Sequence, residues 1–283
     1  MGYFDDDIDS IQLSIQTIED ERKQLNEIPP YFRAKWYHDV MINHLAEKRQ
    51  IPREAFETSD IFFVHPDDIV AELPDWMKDR SHGFVYDNRY LTFGGRYVFP
   101  VKDVHGDVMG FLSYVYNEDP KYIDSKTFGY RAKLTTMFGM EKLPEYYSSK
   151  RSLFVTEGVM DMVYLRYHGH NAVSLLTSKI GKYQAVILKR FGNRCIILAD
   201  NDSFDKFTED RTAGEGFVKQ ASYCLPEARI YQTVRASDIN DVTRLDNGIY
   251  EQQVIKDLEA MESPLCMPVE FRQRGKMHGK RYY

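Results

Sequence analysis

Apolar and polar positions change period along this chain, and the changes divide it. Near the start, Ile8, Ile11, Ile15, Ile18 and Leu25 recur at spacings of three, four and seven among polar residues. That spacing predicts an amphipathic helix, ended by Pro29-Pro30. Tyr31–Lys48 also reads as helical. From Asp87 to Tyr116 the pattern turns to aromatic and β-branched runs, broken by Gly94-Gly95 and the turn Val104–Asp107. Antiparallel strands are expected there. Beyond Arg151, short apolar runs alternate with helical spacings, the sign of a parallel α/β unit. Strands are predicted near Leu153–Thr156, Ala172–Leu175, Cys195–Ala199 and Ala228–Tyr231. Helices fall between them, and Gly169 caps the first. The expected fold class is α/β: a parallel sheet flanked by helices, with an N-terminal mixed α+β subdomain. The expected order is an acidic helix (1–30), the mixed subdomain (31–150), the sheet domain (151–236), a helical segment (237–269) and a basic tail (270–283).

Composition adds limits. The 283 residues are 43% hydrophobic, 28% charged and 14% aromatic, enough for a substantial core. No apolar run approaches the length of a membrane span. The start, MGYFDDDIDS, has neither the basic residues nor the apolar stretch of a signal peptide, so a cytoplasmic protein is expected. Cys195, Cys224 and Cys266 are odd in number and widely spaced. They form no CxxC pair, so neither a zinc site nor a disulfide framework is expected, and Cys195 and Cys224 read as core residues. The net charge of −6 argues against nucleic acid as a partner, but its distribution does not. Residues 1–30 hold eight acids and two bases, whereas residues 270–283 hold five bases and one acid. The tail lacks apolar periodicity and reads as flexible, either a solvated terminus or a phosphate-contacting arm.

The candidate chemistry lies at the ends of two apolar runs. LFVTEGVMD (Leu153–Asp161) delivers Glu157, and IILADND (Ile196–Asp202) delivers Asp200 and Asp202. In an open parallel sheet the carboxyl ends of the strands are where ligands bind. Three converging carboxylates repel one another unless a cation neutralises them. Hard oxygen ligands in small number suit magnesium or manganese. The chemistry implied is metal-assisted phosphoryl or nucleotidyl transfer on nucleic acid. Asp161, four residues after Glu157, can face the same cleft; equally, it can be a first-turn acid that favours the helix dipole. Asp-x-Asp alone is also good turn chemistry. The two motifs together are the stronger signal.

TEGVMD, AVSLLTS (Ala172–Ser178) and LADND (Leu198–Asp202) resemble the toprim domain of bacterial and phage DNA primases. The resemblance extends upstream through GRYVFPVKDVHGDVMGF (Gly95–Phe111), PKYIDSKT (Pro120–Thr127) and RAKLTTMFGM (Arg131–Met140), with HLAEKRQIPREAFETSDIFFV (His44–Val64) as the opening helical unit. SDINDV (Ser237–Val242) is similar to a further acidic motif. The resemblance implies a primase RNA polymerase core that makes short RNA primers on single-stranded DNA from ribonucleoside triphosphates. It implies metal binding by Glu157, Asp200 and Asp202, with Asp238 and Asp241 supporting the site or a second ion. It implies phosphate binding by Arg96, Lys121 and Lys133.

Some positions depart from the family pattern. Leu176-Thr177 stands where Gly-Thr is usual. Leu112-Ser113-Tyr114 follows Phe111 where a basic residue is usual. Ten residues, Ser203–Thr212, separate Asp202 from Ala213-Gly214 where the family has about two. No Cys/His set makes a zinc domain, and too few residues follow Leu245 for a helicase-binding domain. A core alone, of phage type, is expected, served by a replicative helicase or a separate zinc-containing partner. Two other readings stand beside it. One is a toprim nuclease or ribosomal-RNA maturase, against which the upstream motifs argue. The other is a non-catalytic DNA-binding replication subunit, against which the intact acids argue.

Overall fold

The structure is a computed structural model. It describes residues 19–20, 22–68, 70–78, 85–86, 90–115, 122–124, 135–176, 179–200, 213–233, 239, 249–262 and 279–282. The chain forms two compact units, one from Met1–His44 and Asp60–Gly129, the other from Leu45–Ser59 and Tyr130–Tyr283. Among the described residues no helix is long and apolar enough to cross a membrane.

The first unit is an antiparallel sheet with a helix over it. Its strands are β1 (Phe62–Val64), β2 (Val85–Tyr86), β3 (Tyr90–Leu91), β4 (Arg96–Lys102), β5 (Val108–Tyr114) and β6 (Tyr122–Asp124). Four of them lie in the order β1-β4-β5-β6, and β2 pairs separately with β3. Val98, Phe99 and Val101 are all fully buried, so β4 reads as an apolar run and not an alternation. Pro100 is tolerated because β1 pairs only with residues 96–98, leaving no bond unmade beyond them. The predicted turn after β4 is present. Asp103 Oδ1 accepts from His105 N at 2.8 Å and Asp107 N at 3.2 Å, and Gly106 supplies φ +90°. Asn26 ties this turn to the helix over residues 22–33 by accepting from Val108 N at 2.8 Å.

That helix corrects two expectations. It does not end at Pro29-Pro30 but runs through to residue 33, where Ala34 N donates to Pro30 O. An interior proline costs about 3 kcal/mol. Leu25, Ile28 and Phe32 are all buried against the sheet, and each burial contributes about 1.5–3 kcal/mol. Tertiary burial therefore outweighs the missing donors. Tyr31–Lys48 is likewise not one helix. It breaks at residues 34–37, and a second helix spans His38–Arg49.

The second unit carries strands β7 (Leu153–Thr156), β8 (Asn171–Ser174), β9 (Cys195–Ala199), β10 (Arg229–Thr233) and β11 (Gly279–Tyr282). They form one sheet in the order β11-β10-β9-β7-β8. Strands β7 to β10 are parallel neighbours, and β11 is antiparallel at the edge. All four residues of β7 and of β8 and all five of β9 are buried, as expected for strands covered on both faces. Helices Val159–Tyr167, Lys182–Lys189 and Ala213–Cys224 connect the parallel strands. The first ends at Gly169, φ +80°, whose N–H donates to Arg166 O. Cys195 lies in the core, and burial pushes its thiol up to about 12.

Two further expectations change here. The pattern of the sequence groups residues 31–150 together, but Met137, Met140, Leu143 and Tyr146 pack into the core of the second unit. Phe138 bridges Ser174, joining the sheet from outside the segment that carries its strands. The tail expected to be flexible contributes β11, because the outer edge of β10 offers unpaired ladder positions. The expected helical segment appears as Ile249–Glu262. Polar contacts hold this helix: Tyr164 Oη to Glu251 at 2.8 Å, His170 Nδ1 to Glu262 at 3.0 Å, Arg151 to Glu262 at 3.2 Å, and Arg229 to the Met261 carbonyl. Ser203–Thr212 and the remaining tail residues lie outside the described residues.

Candidate active site

The two apolar runs become neighbouring strands. Glu157 follows β7 and Asp200 follows β9, and the register pairs Thr156 with Leu198. The two acids therefore leave the sheet side by side. Asp200 N donates to Glu157 Oε1 at 3.5 Å. β8 flanks β7 on one side and β10 flanks β9 on the other, so the connections from these strands diverge. This is a topological switch point, where diverging loops open a crevice for a ligand.

Hydroxyl groups fix the turn that presents Glu157. Ser174 Oγ, fully buried on β8, donates to the Glu157 carbonyl at 2.9 Å. Thr156 Oγ1 donates to Gly158 O at 2.8 Å, and Leu175 N donates to Thr156 O at 2.9 Å. Thr156 and Ser174 are register partners, so one hydroxyl ends each of two adjacent apolar strands. Sequence reasoning missed this pair, although a hydroxyl closing each run was the available signal.

Asp161 occupies the first turn of Val159–Tyr167 and is buried. A Cβ on Gly158 would lie 2.5 Å from Asp161 Oδ2, so the turn admits only glycine while that carboxylate keeps its place. Asp161 also lines a cleft with Thr156, Leu198, Asp200, Tyr231 and Ile239. Asp161 is therefore a first-turn acid, and the cleft it lines holds Asp200. Tyr231, at the end of the predicted strand near Ala228–Tyr231, and Ile239, inside SDINDV, line this cleft.

Behind the sheet end, Arg166 is a tether. Its guanidinium donates to Ala172 O and Gly139 O, each at 3.0 Å. Gly139 has φ +85°, and a Cβ there would come within 2.2 Å of Arg166 Nη2. The glycine at 139, within RAKLTTMFGM, is thereby explained by close approach of backbone and guanidinium.

The donors at the crevice are carboxylate oxygens, the hard ligands that suit magnesium-type cations. Among the described residues no three or more His, Cys, Asp or Glu side chains are drawn together as a metal group. Asp202, Asp238 and Asp241 lie outside the described residues, as do Lys121 and Lys133. Arg96 opens β4 in the first unit and is 9% exposed.

No protein-family profile matches the chain. Curated relatives are DNA primases. That of Clostridium acetobutylicum is 32% identical over 116 residues, which is 40% of this chain and 19% of the relative. That of Escherichia coli K12 is 32% identical over 168 residues, 55% of this chain and 29% of the relative. The chain therefore spans less than a third of these relatives. Among solved structures, a DnaG catalytic core superposes with TM-score 0.64 at 23% identity, covering 82% of this chain and 79% of that one. A DnaG primase catalytic domain bound to single-stranded DNA gives 0.64 at 22% identity, covering 85% and 77%. An E. coli primase catalytic core gives 0.61 at 22% identity, covering 87% and 86%. The fold is that of an α/β core with a crevice at the switch point of its parallel sheet. More narrowly, the fold is that of a primase catalytic core, and the chain is similar to bacterial DNA primases, as its motifs implied.

Proposed function

We propose that this chain is the catalytic core of a DNA primase, copying single-stranded DNA into short RNA primers from ribonucleoside triphosphates. The carrying observation is the placement of Glu157 and Asp200 on adjacent strand ends at the switch point. Glu157, Asp200 and Asp202 would hold magnesium or manganese, with Asp238 and Asp241 in support. Such ions neutralise the triphosphate and stabilise charge on the attacking and leaving oxygens. The Ser174 and Thr156 hydroxyls keep the Glu157 turn rigid, so its carboxylate meets the ligand without reorganising. Asp161 acts beside these groups as a supporting acid. Arg96, Lys121 and Lys133 would bind nucleotide or template phosphates, a task suited to fixed positive charge.

Phosphate contacts carry no direct sequence information, so choice of start site falls to a partner. A replicative helicase or a separate zinc-containing protein is the partner proposed. The setting is a cytoplasm, that of the host if the chain is phage-encoded. The test is incubation with single-stranded DNA, four ribonucleotides and magnesium or manganese, with products resolved by size. Primers from the wild type and none from Asp200→Ala or Asp202→Ala, both still folded by circular dichroism, is the expected result. Cleavage of the DNA without nucleotide incorporation would overturn it in favour of a nuclease.

A further inference from the structure

Four described residues other than glycine have a left-handed backbone: Gln50, Asp60, Lys150 and Leu176. Three have ordinary reasons. Gln50 and Lys150 directly follow the helices His38–Arg49 and Leu143–Ser149, where such a residue closes the last turn. The Asp60 carboxylate is held by Arg33 at 2.7 Å and Lys102 at 2.5 Å. Leu176 ends no helix and has no polar side-chain atom. Its φ is +64°, a region that a bulky residue enters only under strain.

The surroundings impose that backbone. Leu175 N is bound to Thr156 O at 2.9 Å, and Leu175 O accepts from Gln184 Nε2 at 3.4 Å. Leu176 N donates to Ser174 Oγ at 3.3 Å. The same Ser174 Oγ donates to the Glu157 carbonyl at 2.9 Å. Leu176 is thus one hydroxyl oxygen away from the backbone of a proposed metal ligand. Its side chain is half-buried, with surface to spare. Glycine would hold this backbone without strain, so the side chain is what a leucine adds here. Strain persisting in an over-determined loop at a site edge is characteristic of functional positions.

We infer that Leu176 is a nucleotide-contact residue. Its side chain packs against the ribose and base of the nucleotide whose phosphates lie at the carboxylates. The inference rests on the proposed function and deepens it: the acids of the crevice recognise charge, and Leu176 supplies the apolar contact to the nucleoside.

The test compares wild type, Leu176→Gly and Leu176→Ala. Thermal melting, binding of a fluorescent ribonucleoside triphosphate with manganese, and primer synthesis are measured. Leu176→Gly should melt at or above the wild-type temperature, since it relieves the strain. Both variants should bind nucleotide roughly five- to tenfold more weakly, the loss of a partly covered apolar contact. In synthesis, KM should rise by the same factor while kcat stays within about twofold. Unchanged affinity in Leu176→Gly would overturn the inference. So would a loss confined to Leu176→Ala, which keeps the strained backbone without the leucine. A wild type that binds nucleotide but makes no primer overturns the primase reading alone, and the binding comparison still decides the role of Leu176. A wild type that binds no nucleotide overturns both.

Discussion

Ser174→Ala removes one oxygen that performs two tasks. Ser174 Oγ donates to the Glu157 carbonyl at 2.9 Å and accepts from Leu176 N at 3.3 Å, and the residue is fully buried. Alanine fits the space without overpacking, so the substitution acts mainly through lost hydrogen bonds. A net hydrogen bond contributes about 0.5–1.5 kcal/mol, and a buried group left without its partner costs about 1–3 kcal/mol. The bond to Leu176 N is long and so the weaker of the two. Destabilisation of about 1–3 kcal/mol is therefore expected. Urea denaturation should show a lower midpoint with an unchanged slope, since the surface exposed on unfolding is the same. The functional effect acts through position. Ser174 bonds the backbone carbonyl of Glu157 and so holds the peptide that aims its carboxylate beside Asp200. A misplacement near 1 Å costs up to about a hundredfold in rate, so a loosened turn should lower kcat by roughly tenfold. Ser174→Cys keeps a weak donor and should fall between. A change in stability below about 0.5 kcal/mol, or a kcat equal to wild type, would refute the view that this hydroxyl fixes the site.

Gly139→Ala should cost more than about 2 kcal/mol, because it combines a left-handed backbone with displacement of Arg166 from two carbonyls; a smaller loss by thermal melting would mean the guanidinium moves freely. For Glu262, burial raises the carboxyl pKa, but the hydrogen bond and charge of His170, followed by those of Arg151, outweigh burial and hold it below the usual carboxylate range. Its stabilisation is therefore present above the unfolded pKa near about 4.3 and is lost as pH falls through the lower folded value. Melting from about pH 7 to pH 3 should show an acid-induced loss that Glu262→Gln lacks; identical profiles would remove this carboxylate from the clamp on Ile249–Glu262. Lys121→Ala and Lys133→Ala should weaken nucleotide or template binding and flatten its salt dependence, while changing stability by under about 1 kcal/mol. Unchanged affinity and salt slope in both variants would reduce them to solvated charges.

Part of the candidate site was legible in the sequence, for a local reason. An apolar run ended by an acid fixes both a buried strand and the place where a carboxylate emerges, so β7, β9, Glu157 and Asp200 followed from neighbours along the chain. Gly169 at the end of a helix, and the turn after Lys102, were equally local. Other features depended on contacts between distant segments. The strand order that sets Glu157 beside Asp200 is not written in either motif. The helix continues through Pro29-Pro30 because Ile28 and Phe32 find a sheet to cover. Phe138 joins the second unit by bridging Ser174, and Gly279–Tyr282 of the tail becomes a strand by pairing with β10. Leu176 shows the division within one residue. Its identity marked a departure from the usual Gly-Thr, but only the tertiary structure gave it φ +64°. Backbone angles there are imposed by Thr156, Ser174 and Gln184, residues brought together from three separate elements, and local preference for leucine has no means of registering that constraint.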